Sequence, residues 1–366
     1  MQDLEIVKIK LQHYSYPVYI GEKMFSYFAQ LLIKHGIRGK CAIISTPPVS
    51  SLYLRKVKEA IGNDWQTYHY DVPDGEQSKS VEIVNKIYTW LIENNFERKD
   101  TIITLGGGVV GDLAGFVAAT FLRGINLIHF PTSLLAQVDS SIGGKVGINH
   151  ELGKNLIGAF HQPKLVFSDI SVLNTLPDEE FTCGLGEVIK YGIIGDPDLF
   201  SLMEQQKDVV FRQDPQIIRE IVIKCVRIKA EIVQQDERET GVRAVLNLGH
   251  TFGHALETFY HYQGLKHGQA VLLGIKCSVA ASQSIHLLDA REACRINNLL
   301  DAYNAKLAAN VPLPNPEELY NIMKKDKKVR GGRINLILIN KIGQVCQKQM
   351  DDKDLIVNSF KILEVT

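Results

Sequence analysis

Three histidines in the second half of this 366-residue chain have the spacing of metal ligands. His250 and His254 are four residues apart, which places both imidazoles on one face of a predicted helix, and His267 precedes the next predicted helix. Neutral imidazoles are the commonest metal ligands, and a carboxylate can complete a site that keeps one position open for substrate. Glu187, inside an apolar helical pattern, is the best candidate carboxylate. Core histidines with a surface glutamate remain the alternative, because H-x-x-x-H alone is not specific.

Glycine-rich stretches in the first half are suited to anionic ligands. The stretch 106–112 follows a strand-like run and precedes a helix-like run, where the N–H groups of a helix N-terminus can approach anionic oxygens. A tight turn without a ligand is the alternative, since the usual dinucleotide fingerprint is not cleanly met. Asp139, Lys145 and Lys154 lie among further glycines. Lysines suit a phosphate and a carboxylate suits hydroxyl groups, so this region favours a phosphorylated polyol.

Before residue 175, apolar runs alternate between strand-like and helix-like patterns. The predicted strands are 41–44, 101–105, 125–130 and 165–167, with helices at 50–61 and 109–122. The stretch 6–20 is predicted as a separate extended pair. Continuous apolar strands joined through helices indicate a parallel sheet covered on both faces.

After about residue 175, long helical periodicities dominate. They predict helices over 187–194, 215–235, 251–260, 269–285 and 291–307, then a small hairpin that begins near 331–339. The sequence therefore predicts an α/β domain at 1–175 and an α-helical domain at 176–366.

Composition excludes several classes of protein. Lys+Arg and Asp+Glu are equal at 41 each, so the chain lacks the cationic surplus of a nucleic-acid-coating protein. No apolar stretch is long enough for a membrane span, and the acidic start does not resemble a secretory signal. Six scattered cysteines without a C-x-x-C pair are typical of free thiols in a reducing compartment. We expect a cytoplasmic protein that binds neither nucleic acid nor membrane.

Seven segments together resemble the 3-dehydroquinate synthases, a group within the sugar phosphate cyclase family. Their order and spacing run through most of the chain, so coincidence is a poor explanation. The segments are DGEQSK (74–79), GGGVVGDLAGF (106–116), FPTSLLAQVDSSIGGKVGIN (130–149), GKNLIGAFHQP (153–163), GEVIKYG (186–192), LNLGHTFGHALE (246–257) and LKHGQAV (265–271).

The resemblance implies an N-terminal Rossmann-like domain that binds NAD, an α-helical C-terminal domain that binds metal, and a homodimer. It implies Zn²⁺ (or Co²⁺) held by Glu187, His250 and His267. The implied NAD contacts are Asp74, Gly75, Glu76, Gln77, Ser78, Lys79, Gly107, Gly108, Val109, Val110, Gly111, Asp112, Thr132, Ser133, Lys145, Lys154, Val172, Leu173, Asn174 and Thr175. The implied substrate contacts are Asp139, Lys145, Lys154, Asn155, Lys190, Lys229, Arg243, Asn247, His254 and Lys327, with Arg123 reaching the neighbouring subunit's phosphate.

The implied substrate is 3-deoxy-D-arabino-heptulosonate 7-phosphate, which the shikimate pathway uses to make aromatic amino acids. A ring alcohol is oxidised with NAD, and the resulting ketone acidifies the neighbouring C–H so that phosphate can leave. The ketone is then reduced again, the ring opens, and an intramolecular aldol closure gives 3-dehydroquinate. NAD is thus unchanged over one turnover.

Two positions depart from the family pattern. Thr46, in Ser-Thr-Pro-Pro after the early strand, stands where an acidic residue usually meets the adenosine ribose. We therefore expect the adenosine end of NAD to bind more weakly or differently. Gln269 stands where Glu is frequent after the His-Gly pair, and we expect the metal site to survive this change.

Three rival interpretations have weaker support. Other cyclases, such as 2-deoxy-scyllo-inosose synthase, tend to alter the DSSIGGK and LNLGH segments, which are intact here. A related metal-dependent polyol dehydrogenase would use NAD stoichiometrically and would need no lysines for a phosphate. A catalytically silent protein with the same fold is disfavoured, because Glu187, both ligand histidines and Lys145 are all present.

Overall fold

The structure, a computed structural model, describes residues 4–261, 264–305, 314–325, 329–330 and 333–365. The strands are β1 (Glu5–Lys10), β2 (Ser15–Gly21), β3 (Lys40–Ser45), β4 (Gln66–Asp71), β5 (Thr101–Gly106), β6 (Asn126–Pro131), β7 (Lys145–His150), β8 (Gly153–Phe160), β9 (Leu165–Asp169), β10 (Val329–Arg330), β11 (Arg333–Lys341) and β12 (Gln344–Met350). The helices are α1 (Phe28–Lys34), α2 (Pro47–Ile61), α3 (Val81–Glu93), α4 (Gly108–Thr120), α5 (Asp178–Gly195), α6 (Pro197–Gln205), α7 (Lys207–Phe211), α8 (Pro215–Gln235), α9 (His250–Phe259), α10 (His267–Ser284), α11 (Ala290–Asn304), α12 (Pro316–Lys325) and α13 (Lys353–Lys361).

Contacts divide the chain into two compact units. The first consists of Met1–Leu176 with Pro215–Arg238, and the second of Pro177–Asp214 with Glu239–Thr366. Among the helices that the structure describes, no segment combines the length and the apolar character that crossing a bilayer requires.

The first unit contains a seven-stranded sheet in the order β1-β2-β9-β6-β5-β3-β4. In this order, the neighbours from β2 through to β4 are parallel, whereas β1 pairs antiparallel with β2. The prediction of a separate N-terminal pair is wrong, because β2 pairs with β9 and so joins the pair to the sheet. Ile103 and Ile128 face the core formed with α1 and α2, and the adjacent Ile102 and Leu127 face the core formed with α3 and α4. Because both faces are covered, both sets of alternating residues must be apolar, as the sequence shows.

Helix α8 belongs to the first unit although it comes late in the sequence. It packs against β1, β2 and the π-helical turn Ala136–Ser140. The Gln234 amide oxygen accepts a hydrogen bond from the Lys10 backbone N–H at 2.7 Å. The sequence predicts this helix in the second domain, because periodicity identifies a helix but not the surface that it covers.

The second unit is mainly helical. Helices α9, α10, α12 and α13 share a hydrophobic core with β11, which lies between β10 and β12 in an antiparallel sheet. The predicted hairpin is formed by β11 and β12, which meet at Ile342–Gly343. Lys327, a predicted substrate contact, lies outside the described residues.

Three strands of the first unit have weak sequence signals. Strand β4 has partly exposed, polar residues instead of an apolar run. The antiparallel pair β7–β8 occupies the polar, glycine-containing stretch around Lys145 and Lys154, where no strand is predicted. Glycine and exposed polar residues weaken the alternation by which strands are recognised.

Candidate functional site

Glu187, His250 and His267 converge on one point in the second unit. One ligand atom from each lies within 4.8 Å of the others. The Nε2 atoms of His250 and His267 lie 3.5 and 3.4 Å from Oε1 of Glu187. Glu187 is fully buried and both histidines are half-buried, so the group faces the protein interior on one side and solvent on another.

Close helix packing brings these three side chains together. Glu187 lies within α5, and the two histidines are the first residues of α9 and α10. A Cβ added at Gly268 would lie 1.9 Å from the Cys183 carbonyl oxygen, and one at Gly274 would lie 2.0 Å from the Gly249 carbonyl oxygen. Without these glycines α10 could not approach α5 and α9 so closely. The Gly268 N–H also donates to Sγ of Cys183 at 3.0 Å, which fixes the start of α10 beside α5.

Hydrogen bonds orient the two imidazoles. Nδ1 of His250 lies 3.1 Å from the backbone carbonyl of Leu248. Nδ1 of His267 lies 3.3 Å from Oε1 of Glu257. With Nδ1 occupied as a donor on each ring, Nε2 is the nitrogen that faces Glu187.

The donor set fits a divalent metal ion. Two imidazole nitrogens and one carboxylate oxygen match the three protein ligands of catalytic zinc sites. Burial lowers the pKa of His267, but hydrogen bonds and negative charge from Glu187 and Glu257 outweigh it and raise the pKa to about 10. This surplus of negative charge favours a bound cation, whether a proton or a metal ion.

Lys190 and His254 lie beside this group on the same helices. Lys190 is buried one turn after Glu187 on α5, and its Nζ contacts Oε2 of Glu187. His254 follows His250 by one turn of α9, with ring centroids 5.5 Å apart. The helical spacing predicted from sequence therefore places both side chains next to the three donors.

Arg243 and Asn247 lie on the short helix Val242–Asn247, which packs against α5. Arg243 is almost fully buried, and Nδ2 of Asn247 donates to Oε1 of Glu239 at 2.7 Å.

The site residues predicted from the sequence do not include Glu239 or Glu257. Glu257 could have been found, because it lies three residues after His254, on the same helical face.

In the first unit, the side chain of Lys79 joins three of the predicted binding segments. Its buried ammonium group lies 2.8 Å from Oδ2 of Asp112, 3.3 Å from Oε1 of Glu76, and contacts Oδ1 of Asn155. Burial lowers the pKa of Lys79, but charge and hydrogen bonds from Asp112 and Glu76 raise it above its usual value. The loop 74–79, the start of α4 and the start of β8 therefore meet at one lysine.

The glycines at the start of α4 are not needed for the protein's own packing. A Cβ at Gly107 or Gly108 would meet a serine hydroxyl at 3.3 or 3.1 Å, which a small shift would relieve. At Gly111 the nearest atom would be a ring nitrogen of His129 at 3.8 Å. Bare backbone at a helix N-terminus is suited to the close approach of an anionic ligand.

Other predicted residues of the first unit form smaller groups. Nζ of Lys229, on α8, lies 2.8 Å from Oδ1 of Asp139. Lys145 begins β7 and is exposed, and Lys154 lies at the start of β8. Ser133 follows β6 beside Gly107, and Thr132 is buried next to it.

The segment 172–175 and Arg123 lie in separate parts of the first unit. The Tyr53 hydroxyl, on α2, donates to the Val172 carbonyl at 3.0 Å and contacts the Thr175 hydroxyl. Arg123 and Leu122 are exposed at a turn where both have positive φ, 64° and 49°. This left-handed backbone directs two large side chains outward and is uncommon outside glycine.

Comparison with known proteins identifies the family. Residues 69–183 match the model of the N-terminal part of 3-dehydroquinate synthase, and residues 184–329 match its C-terminal part. A 3-dehydroquinate synthase of Nitrosomonas europaea is 43% identical over 349 residues, covering 94% of each chain. One of Shewanella frigidimarina is 42% identical and covers 93% of this chain and 95% of the relative. The chain belongs to the 3-dehydroquinate synthase family. The family resemblance found in the seven segments is confirmed.

Solved structures confirm the predicted fold of this family member. A 2-deoxy-scyllo-inosose synthase complexed with carbaglucose-6-phosphate, NAD⁺ and Co²⁺ superposes with a TM-score of 0.88 at 23% identity, covering 98% of this chain and 99% of that one. The 2-epi-5-epi-valiolone synthase of Streptomyces hygroscopicus, with NAD⁺ and Zn²⁺ bound, also gives 0.88 at 23% identity, covering 97% and 98%.

Proposed function

We propose that this protein is an enzyme that converts 3-deoxy-D-arabino-heptulosonate 7-phosphate to 3-dehydroquinate and phosphate. The observation that carries the proposal is the convergence of Glu187, His250 and His267 in a chain of the 3-dehydroquinate synthase family. Its cofactors are NAD and Zn²⁺ or Co²⁺, the groups held by the two cyclase structures of the same fold. The activity belongs to the shikimate pathway of aromatic amino acid biosynthesis.

The residues of the second unit hold the metal and the reacting hydroxyl groups. When bound, the metal would supply a Lewis acid for a substrate oxygen, and NAD would supply reversible hydride transfer. Glu187, His250 and His267 hold the ion. Lys190 adds positive charge beside Glu187. This charge stabilises a substrate oxygen that becomes negative during the reaction. His254, one turn from His250, is placed to exchange protons with hydroxyl groups.

The residues of the first unit hold NAD and the phosphate. The glycines at the start of α4 receive the anionic part of NAD. Lys79 holds the loop 74–79 against α4 through Asp112. Lys145 and Lys154 supply ammonium groups for the departing phosphate, and the oxygens of that phosphate accept the proton. Asp139, held by Lys229, orients a substrate hydroxyl group. Arg243, Asn247 and Asn155, with Lys327 from outside the described residues, complete the proposed substrate contacts.

A homodimer completes the proposed site, because Arg123 is assigned to the neighbouring subunit's phosphate. The surface around Arg123 supports this assignment. Leu122 is 41% exposed and Phe160, at the end of β8, is 44% exposed. Nε2 of His161 lies 2.9 Å from the Ile125 carbonyl, which ties the end of β8 to the segment that follows Arg123. We place the enzyme in the cytoplasm, which agrees with six free cysteines.

One assay tests the proposed activity against its rivals. The purified protein is incubated with the heptulosonate phosphate, Zn²⁺ and trace NAD, and phosphate release and NADH absorbance are followed together. We expect many phosphates per NAD, without net NADH, and 3-dehydroquinate as product. Accumulation of NADH would indicate a dehydrogenase. Turnover of glucose 6-phosphate instead would indicate another cyclase, and no turnover of any sugar phosphate would contradict an enzyme of this class.

A further inference from the structure

Glu257 is a buried carboxylate that no step of the proposed reaction uses. It lies on α9 two turns after His250, and its side chain is 4% exposed. Oε1 of Glu257 lies 3.3 Å from Nδ1 of His267, and Oε2 lies 3.9 Å from Nε2 of His254. Burying a carboxylate is costly unless charges or hydrogen bonds compensate. Its position between two imidazoles therefore calls for an explanation.

The two proposed metal-binding imidazoles are oriented by different kinds of acceptor. Nδ1 of His250 faces the Leu248 carbonyl, a backbone group that a side-chain substitution cannot remove. Nδ1 of His267 faces a carboxylate on another helix. A hydrogen bond at Nδ1 keeps the proton on that atom and leaves the lone pair on Nε2 for a metal ion.

We propose that Glu257 is the positioning residue of His267: it holds the imidazole with Nε2 directed towards Glu187 and makes that nitrogen a stronger ligand. The inference rests on the metal site of the proposed function. Glu257 contacts the back of the ring and needs no contact with substrate. Removing such an outer partner typically lowers metal affinity about 10- to 100-fold.

The test compares Glu257→Ala and Glu257→Gln in the full chain after the metal is removed with a chelator. Zn²⁺ affinity is measured by competition with a chromophoric chelator, and the visible spectrum of the Co²⁺-loaded protein reports ligand geometry. We expect the alanine variant to bind Zn²⁺ about 10- to 100-fold more weakly with an altered Co²⁺ band. The glutamine variant keeps a weaker acceptor oxygen, so we expect it to lose only about threefold to tenfold.

Glu180→Gln is the matched control. Its carboxylate contacts Lys266, the residue before His267, but the Glu180 side chain is half-exposed and its bond is to the lysine. We expect its metal affinity and Co²⁺ spectrum to be unchanged, so that loss of a nearby charge alone is ruled out as the cause.

Zn²⁺ affinity within twofold of the unmodified protein in the alanine variant, with an unchanged Co²⁺ spectrum, overturns the inference. If that variant does not fold, the glutamine variant decides by the same two measurements: unchanged values overturn it, and a weaker affinity with a shifted band supports it. Glu187→Gln is titrated in parallel. Full affinity in Glu187→Gln means that the proposed metal site itself fails, whereas loss there with no loss at Glu257 removes only this inference.

Discussion

Gly268 in the second unit and Gly111 in the first serve different purposes. In the second unit, a Cβ at Gly268 would collide with a backbone carbonyl of α5 at 1.9 Å, a contact that no side-chain rotation can relieve. In the first unit, a Cβ at Gly111 would lie 3.8 Å from the nearest atom, an ordinary van der Waals distance. The glycine at the metal group is thus required by helix packing. Packing does not require Gly111 at the start of α4, so close approach of a ligand explains this glycine better.

The two units also form their binding sites in different ways. The second unit forms its site from side-chain donors that glycine-mediated packing brings together. The first unit forms its proposed cofactor surface from backbone and from a lysine that joins three segments. Substitutions in the two regions should therefore fail in different measurements, one in metal binding and the other in NAD binding.

The largest expected effect is that of Glu187→Gln. Loss of the anionic donor should abolish stable metal binding and lower kcat/KM at least about 1,000-fold, roughly 4 kcal/mol of transition-state stabilisation. NAD affinity should stay unchanged, because the proposed NAD contacts lie in the first unit. Metal content after dialysis, phosphate release and NAD fluorescence titration measure the three quantities. Asp198→Asn, an exposed carboxylate of the same unit, is the control. Retained metal in Glu187→Gln would contradict the assignment.

Gly268→Ala and Gly111→Ala test directly whether the two glycines have different roles. The first should lower the free energy of unfolding by about 3 kcal/mol, because α10 must move away from the Cys183 carbonyl. The second should leave that free energy within about 1 kcal/mol of the unmodified value. Its NAD affinity should fall about tenfold, since a methyl group enters the proposed ligand surface. Guanidinium unfolding and NAD titration test both, and equal destabilisation by the two substitutions would break the comparison.

Two histidines, one in each unit, also differ in their surroundings. His267 lies beside carboxylates, whereas burial, with a smaller contribution from His161, lowers the pKa of His129 to about 4. His129 is thus neutral when folded, and the unfolded chain binds more protons below its ordinary pKa near 6.5. Its contribution to stability is present above pH 6.5 and is lost as the pH falls towards 4, by about 2 kcal/mol between pH 7 and pH 5.

Unfolding free energies of the unmodified protein and His129→Gln at pH 7 and pH 5 measure this contribution. The variant keeps a hydrogen-bonding side chain for Thr104, the residue whose hydroxyl lies 2.9 Å from Nδ1 of His129, but cannot take up the proton. The acid-induced loss should therefore be smaller in the variant. The same pH dependence in both proteins would show that His129 is not responsible.

The smallest expected effect is that of Thr46→Asp. Thr46 directly follows β3 and precedes Pro47 at the start of α2, where the family usually has an acidic residue. A carboxylate there should strengthen NAD binding about threefold to tenfold, or roughly 1 kcal/mol, through a hydrogen bond to the ribose. Thr46→Asn serves as the uncharged control in the same titration. Indistinguishable NAD affinities of Thr46→Asp and the unmodified protein would count against a weakened adenosine contact.

The sequence alone predicts the types of residue at the site and their local arrangement. It placed His250 and His254 on one helical face, predicted most strands of the parallel sheet, and through seven segments identified the family. These are properties of short stretches, because hydrophobic periodicity and helical spacing depend only on neighbouring residues.

Only the folded chain shows which surfaces meet. It assigned α8 to the first unit, brought Lys79 to Asp112 and Asn155, and placed Glu257 behind His267. A stretch read alone does not contain this information, since a side chain's partner depends on how closely two helices or segments approach. At the metal group that distance is limited by the contact between Gly268 and the Cys183 carbonyl, two residues far apart in the chain.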